Sequence, residues 1–137
     1  MKEKKITAII ETGNDGFYSI YTPAIPGLYG TGQTESEAKE ELMDAIEMAK
    51  EHIKETGIYE GYTLLNGNYI IEYVYDLSGF FKTYNFFDVS SLAKTLGLNS
   101  SLLRRYKSGI TKASYMQKQK IEKGIHNIAK QLSVAKF

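Results

Sequence analysis

The sequence predicts an α+β protein in two parts: a small sheet with one packed helix, then an all-helical segment. Three observations carry this. Runs rich in Ile, Tyr and Thr, broken by Gly, Asn and Pro, are confined to the first 76 residues. Apolar residues recur at helical spacing from Ala38 to Ile53, and again from Val89 to the C-terminus. Charge divides with them. Residues 1–77 hold six Lys or Arg against fourteen Asp or Glu, whereas residues 78–137 hold eleven Lys or Arg against only Asp88 and Glu122. The total of +1 therefore conceals an acidic part and a basic part that suit different partners. The expected domains are residues 1–76 and 77–137.

In the first part, "KKITAIIETGNDGFYSIYTPAIPG" contains a β-prone run at Ile6 to Glu11, a turn at Gly13 to Gly16 and a second run at Phe17 to Tyr21, together a hairpin pattern. Pro23 and Pro26 cannot donate to a ladder and end the sheet there, and "LYGTGQ" supplies a third short strand. Thr34 and Glu37 have capping-box spacing and open a helix, with Leu42, Ala45, Ile46, Ala49 and Ile53 on its buried stripe as far as Gly57. The opposite side carries Glu40, Asp44, Glu47 and Glu51, a negative ridge that solvation alone would explain and that a basic partner could also use. An Asn66-Gly67 turn then leads to a last strand at about Asn68 to Tyr75, returning beside the first three.

In the second part, Asp76 or Ser78 can cap a short segment bearing Phe80, Phe81 and Tyr84. Asp88 or Ser90 can cap the next helix, with Val89, Leu92, Ala93 and Leu96 on its inner face and Gly97 free to take a left-handed turn. Ala93 permits a close helix crossing, and Leu98 stays with the core. Asn99 caps a further helix, with Leu102, Leu103 and Tyr106 inward and Ser108 and Gly109 at its end. Ser114 and Gln117 form another capping box before a long helix with the stripe Ile121, Ile125, Ile128 and Leu132. Its outer side bears Lys118, Lys120, Lys123 and Lys130.

The outer face of the middle helix concentrates the functional expectation. Ser100, Ser101, Arg104, Arg105 and Lys107 lie there with no acid among them, and Asn99 and Lys112 flank them. A helix-turn-helix places short polar residues and arginines of its second helix against base edges and phosphates in the major groove. These seven are the expected DNA-binding residues. Lysines on the closing helix would add sequence-independent phosphate contacts.

Other classes find little support. With no cysteine and only His52 and His126, no metal centre and no cofactor are expected. Glu11, Asp15 and Glu72 fall on or near strands but share no spaced motif, no nucleophile arrangement appears, and an enzyme is not expected. "MKEKKITAII" lacks the apolar region of a secretory signal and no run approaches a membrane span, so the expected location is cytoplasmic with no membrane partner. A competing reading makes the first part a small-ligand sensor, with the tyrosines between Tyr59 and Tyr75 lining a pocket.

"LAKTLGLNSSLLRRYKSG", followed by "KAS" and a capped amphipathic helix, resembles the Xre/Cro-type helix-turn-helix, with "KAS" where that family commonly has Pro-Ser. "DGFYSIYTPAIPGLYGTGQTESEAKEEL" resembles the HicB antitoxin domain, a degenerate RNase H-like unit. Pro23 to Gly27 and Gly32 to Ala38 match its order, and Leu28 stands where many members have Cys. The combined resemblance implies an antitoxin that neutralises a HicA-type mRNA-cleaving toxin and represses its own operon by binding double-stranded operator DNA. Toxin-facing residues would be Glu40, Asp44, Glu47 and Glu51. A helix-turn-helix usually reads a two-fold site, so a homodimer is expected, assisted by the apolar tail Leu132, Val134 and Phe137.

Overall fold

The computed structural model describes residues 3–13, 15–57 and 60–137. Asn14 of the expected hairpin turn and Tyr59 of the tyrosine-rich stretch lie outside the described residues. The chain is α+β and divides into two compact units, Met1–Thr83 and Tyr84–Phe137.

The first unit runs β1 (Lys4–Thr12), β2 (Tyr18–Tyr21), β3 (Tyr29–Gly32), α1 (Glu35–Thr56), a 3₁₀ segment (Glu60–Leu65), β4 (Tyr69–Tyr75) and α2 (Leu77–Thr83). The sheet is mixed, in the order β3-β2-β1-β4. β1 pairs antiparallel with β2, and β2 with β3, whereas β4 runs parallel to β1 from Lys4↔Tyr69 to Ile10↔Tyr75. The expected return strand thus touches only one of the first three. β2 already occupies one edge of β1, and the long α1 connection lets the chain re-enter in the same direction at the other.

Alternation decides which face is buried. Ile6, Ala8 and Ile10 of β1 and Ile20 of β2 pack with Ala38, Leu42, Ile46 and Ala49 of α1, together with Ile25, Leu28 and Leu65. Ala45 and Ile53 of the expected stripe are half-buried at its margin. At the helix start Thr34 Oγ1 accepts from the Glu37 amide at 3.1 Å, but the Glu37 carboxylate accepts from the Gln33 amide at 2.8 Å, one residue before the reciprocal partner of a standard box. The loop "TPAIPG" is stitched inward by Thr22. Its buried hydroxyl lies 3.2 Å from the Ile25 carbonyl and 3.1 Å from that of Leu28, while Ile25 plugs into the core.

α1 seats directly on β3. A Cβ at Gly30 would overlap the Ala38 carbonyl and the Leu42 amide, and one at Gly32 would press on Glu37 and Ala38. Neither backbone can withdraw without opening the core.

α2 belongs with this unit, so the compact division falls after Thr83 rather than after residue 76. Phe81 is fully buried, Gly79 lies against the Glu11 and Thr12 backbone, and Thr83 Oγ1 is 3.4 Å from both Thr12 Oγ1 and the Tyr18 hydroxyl. Of the two candidate caps, Asp76 accepts from the Gly79 amide at 3.2 Å. Tyr84 falls outside the helix.

The second unit consists of α3 (Val89–Leu96), α4 (Ser100–Ser108) and α5 (Tyr115–Ser133). Val89, Leu92, Ala93, Leu96, Leu103, Tyr106 and Ile121 are its buried apolar side chains. Gly97 takes φ 71°, ψ 31° between α3 and α4, a left-handed conformation that costs glycine little. Gly124 admits the Leu96 side chain, which a Cβ there would strike. Ser114 Oγ accepts from the Gln117 amide at 3.2 Å, but Gln117 Oε1 is buried without a hydrogen-bond partner among the described residues, so that capping box is half formed.

The α5 stripe also fades. Ile125 and Ile128 are half-buried and Leu132 is 67 % exposed, contrary to the expected continuous stripe. The eight-residue α3 spans roughly 12 Å, so it cannot cover the nineteen-residue α5 that packs on it. Val134 and Phe137 are likewise exposed.

Gly30→Ala is expected to lower the stability of the first unit by about 1–3 kcal/mol through forced separation of α1 from β3. Urea denaturation followed by circular dichroism checks this, and unchanged stability would refute the close-approach argument.

Candidate functional site

Two surfaces are built on these scaffolds. The first is the pair α3 and α4. Asp88, not Ser90, caps α3: its Oδ1 accepts from the Ser90 and Ser91 amides at 3.1 and 3.5 Å, and its Oδ2 from the Ser91 hydroxyl at 2.9 Å. The Ser91 hydroxyl and then the Ser91 amide hold the Asp88 carboxyl below the usual carboxylate range against the opposing effect of desolvation, with lesser help from the Ser90 amide and the charge of Arg104. Asn99 caps α4 by accepting from the Leu102 amide at 3.1 Å. Both turns are local consequences of short polar side chains placed before apolar stripes.

The candidate DNA-binding residues differ in exposure. Ser101, Arg104 and Arg105 are exposed on α4, Asn99 is exposed at its cap, and Ser100 and Lys107 are half-buried. Lys112 is exposed beyond the end of α4, in the link to α5. The two arginines separate in role. Arg104 Nη2 donates to Ser90 Oγ at 2.7 Å, which ties α4 to the first turn of α3. Arg105 keeps its guanidinium in solvent. Helical spacing alone treats Arg104 and Arg105 alike, because Ser90 lies fourteen positions away and nothing local links the pair.

Lys118, Lys123 and Lys130 are exposed on α5, but Lys120 donates to the Gly97 carbonyl at 3.2 Å. A cation there satisfies a carbonyl at the end of α3 and complements its dipole, a role the charge count did not reveal.

The second surface belongs to the first unit. Glu40, Asp44, Glu47 and Glu51 are all exposed along α1, as their spacing implies, and Glu47 pairs with Lys50 at 3.6 Å. Glu41 departs from this ridge: its Oε2 accepts from the Thr31 amide at 3.2 Å and the Thr31 hydroxyl at 3.3 Å, covering part of the β3 edge. The β4 tyrosines pack beneath α1. Lys39 Nζ lies 4.5 Å from the Tyr73 ring centroid, Lys50 Nζ lies 5.7 Å from that of Tyr69, and the Tyr75 hydroxyl donates to Glu35. Burial pushes the Tyr73 phenol up.

On the other face of the sheet, strand alternation places Ile9, Tyr21, Tyr29, Ile70 and Val74, a set that only strand register assembles. The Tyr21 hydroxyl donates to Glu11 at 3.3 Å, and its phenol is pushed up first by burial, then by the negative charge and hydrogen bond of Glu11 and the charge of Asp76. Asp15 accepts from the Phe17 amide at 3.0 Å, and Glu72 pairs with Lys5 at 3.5 Å. The three carboxylates considered for catalysis are thus engaged separately. Among the described residues no group of three His, Cys, Asp or Glu could hold a metal ion, and no helix is long and apolar enough to cross a membrane.

No family model matches the chain, and no solved structure matches it. UPF0150 protein ssl0738 of Synechocystis is 47% identical over 47 residues, covering 34% of this chain and 65% of the relative. UPF0150 protein Ta0767 of Thermoplasma acidophilum is 40% identical over 52 residues, covering 35% of this chain and 75% of the relative. The chain thus spans about two thirds to three quarters of the length of these relatives, and the matches cover about a third of its own.

Because its folded-state pKa is depressed, Asp88 stabilises α3 above the ordinary carboxylate pKa and loses that effect as pH falls through the depressed value, below about pH 4. Amide exchange at Ser90 and Ser91 should accelerate there beyond the intrinsic trend. Asp88→Ala should show the faster exchange already at neutral pH, and equal protection in both proteins would overturn the capping assignment.

Proposed function

This chain belongs to the UPF0150 family, a HicB-like group, and from that premise we propose that it is the antitoxin of a HicA/HicB-type toxin–antitoxin system. In this reading the first unit is a degenerate RNase H-like domain that binds and neutralises a basic, mRNA-cleaving toxin. The second unit is a helix-turn-helix that represses the operon, and the protein acts as a cytoplasmic homodimer.

The observation that carries the proposal is the exposed face of α4. Ser101, Arg104 and Arg105 stand there without an acidic neighbour on the helix, in a chain whose first 77 residues are strongly acidic. A basic helix face suits a phosphate backbone and an acidic domain suits a protein that itself handles RNA.

The division of labour follows from geometry. Gly97 and Asn99 set the turn between α3 and α4, and the Arg104–Ser90 bond braces it, so α4 enters the major groove as part of a rigid pair. Arg105 and Ser101 then meet base edges or phosphates, Asn99 and Ser100 approach at the N-terminal end of α4, and Lys107 and Lys112 approach the backbone. Lys118, Lys123 and Lys130 add phosphate contacts. The β4 tyrosines proposed for a ligand sensor are packed beneath α1, so no observation favours that second reading.

Arg105→Ala is expected to weaken binding to a duplex taken from upstream of the chain's own reading frame by about 1–3 kcal/mol if Arg105 meets a base, or to reduce the salt slope by about one if it meets a phosphate. Arg104→Ala combined with Arg105→Ala should abolish binding while capture of the co-expressed product of the adjacent reading frame persists. Fluorescence anisotropy at several salt concentrations, with light scattering to test for twice the 15.5 kDa chain mass, checks these expectations. Failure of the native protein to bind that duplex would sink the repressor reading.

A further inference from the structure

We infer that the cationic protein partner docks on the uncovered face of the first unit's sheet, centred on Tyr29 and Tyr21, rather than on the acidic ridge of α1. This rests on the antitoxin reading and assigns its docking surface.

Register brings the surface together. Tyr29 is opposite Tyr21, Tyr21 opposite Ile9, and Ile9 opposite Val74, so one row of apolar and aromatic side chains crosses all four strands. At the usual strand spacing it is roughly 14 Å across. Ile70 lies further along the same face beyond Glu72, and Phe17 precedes β2 beyond Ser19, so polar side chains margin the row. Tyr29 is 58 % exposed, Phe17 44 %, Ile70 43 % and Tyr21 36 %, while Ile9 and Val74 are half-buried between them. A solvated sheet face normally carries polar residues at these positions. Tyrosine-centred apolar patches with a polar margin are instead the composition of protein interfaces.

Charge selects the occupant. Glu11 lies beside Tyr21, the adjoining Glu72 is balanced by Lys5, and residues 1–77 are in excess of acid by eight charges. A second copy of this unit would bring like charge together, and a nucleic acid would be repelled. A protein with Lys or Arg around an apolar centre fits, because its cations can approach Glu11 and the tyrosine rings. Simple strand addition at the β3 edge is impeded by Glu41, whose carboxylate holds the Thr31 amide. The ridge on α1 does have exposed Met43 and Met48 beside Glu40, Asp44, Glu47 and Glu51, but it carries no tyrosine or phenylalanine to anchor a partner.

The test uses the full chain co-expressed with the product of the adjacent reading frame. If the native pair does not co-purify, the antitoxin reading fails and the docking assignment falls with it. If it does, Tyr21→Ala combined with Tyr29→Ala should weaken the complex at least tenfold by calorimetry, while Glu40→Gln combined with Glu47→Gln changes it less than threefold. The opposite ranking, or an unchanged affinity in the tyrosine variant, overturns the assignment. Nitration of the native protein by tetranitromethane removes dependence on a variant's folding. Tyr29 should be modified in the free chain and at least fivefold more slowly in the complex, with the 75 % exposed Tyr115 of the second unit as reference. Equal modification of Tyr29 in both states likewise overturns it.

Discussion

The close seating of α1 on the sheet governs the first unit. With no side chain at Gly30 or Gly32, the helix backbone reaches β3, and the stripe Ala38, Leu42, Ile46 and Ala49 meets Ile6, Ala8, Ile10 and Ile20. Once that contact is made, the remaining faces have no freedom. Tyr69, Tyr73 and Tyr75 must lie beneath or beside the helix, Glu40 and its neighbours must face outward, and the opposite sheet face must remain uncovered by α1. The same seating lets Glu41 reach around to the β3 edge, where an open amide would otherwise invite another strand.

The second unit is held differently, by caps more than by bulk. Its buried core is small, and Asp88, Asn99 and Ser114 satisfy helix amides that short helices would leave exposed. Two cations expected to serve a partner also serve the fold: Arg104 through Ser90, and Lys120 through the Gly97 carbonyl. A guanidinium tied on one nitrogen retains further donors, so this bond orients Arg104 without consuming it. In the proposed reading, positioning and recognition are therefore coupled at Arg104 and separable at Arg105.

Joining an acidic unit to a basic one makes chemical sense when each addresses a partner of opposite charge. Charge alone is permissive, however, because it attracts many molecules without selecting among them. In the proposed reading the selective elements are shape and apolar contact: the braced α3–α4 pair on one unit, and the Tyr29–Tyr21–Ile9–Val74 row on the other.

Sequence by itself determined whatever depends on neighbours within a few positions. The Thr34 cap, the turn at Gly97, the Asn99 and Ser114 caps, the α1 stripe and the acidic ridge were all legible, because a helix's period and its terminal hydrogen bonds are local properties. Tertiary structure decided the rest: which edge of β1 receives β4, that α2 joins the first unit, where α5 outruns its cover, why Gly30 and Gly124 have no side chain, and which of two adjacent arginines is tied. Each of these depends on a contact between residues distant in sequence, and periodicity records only that a side chain faces inward, not what it will meet there.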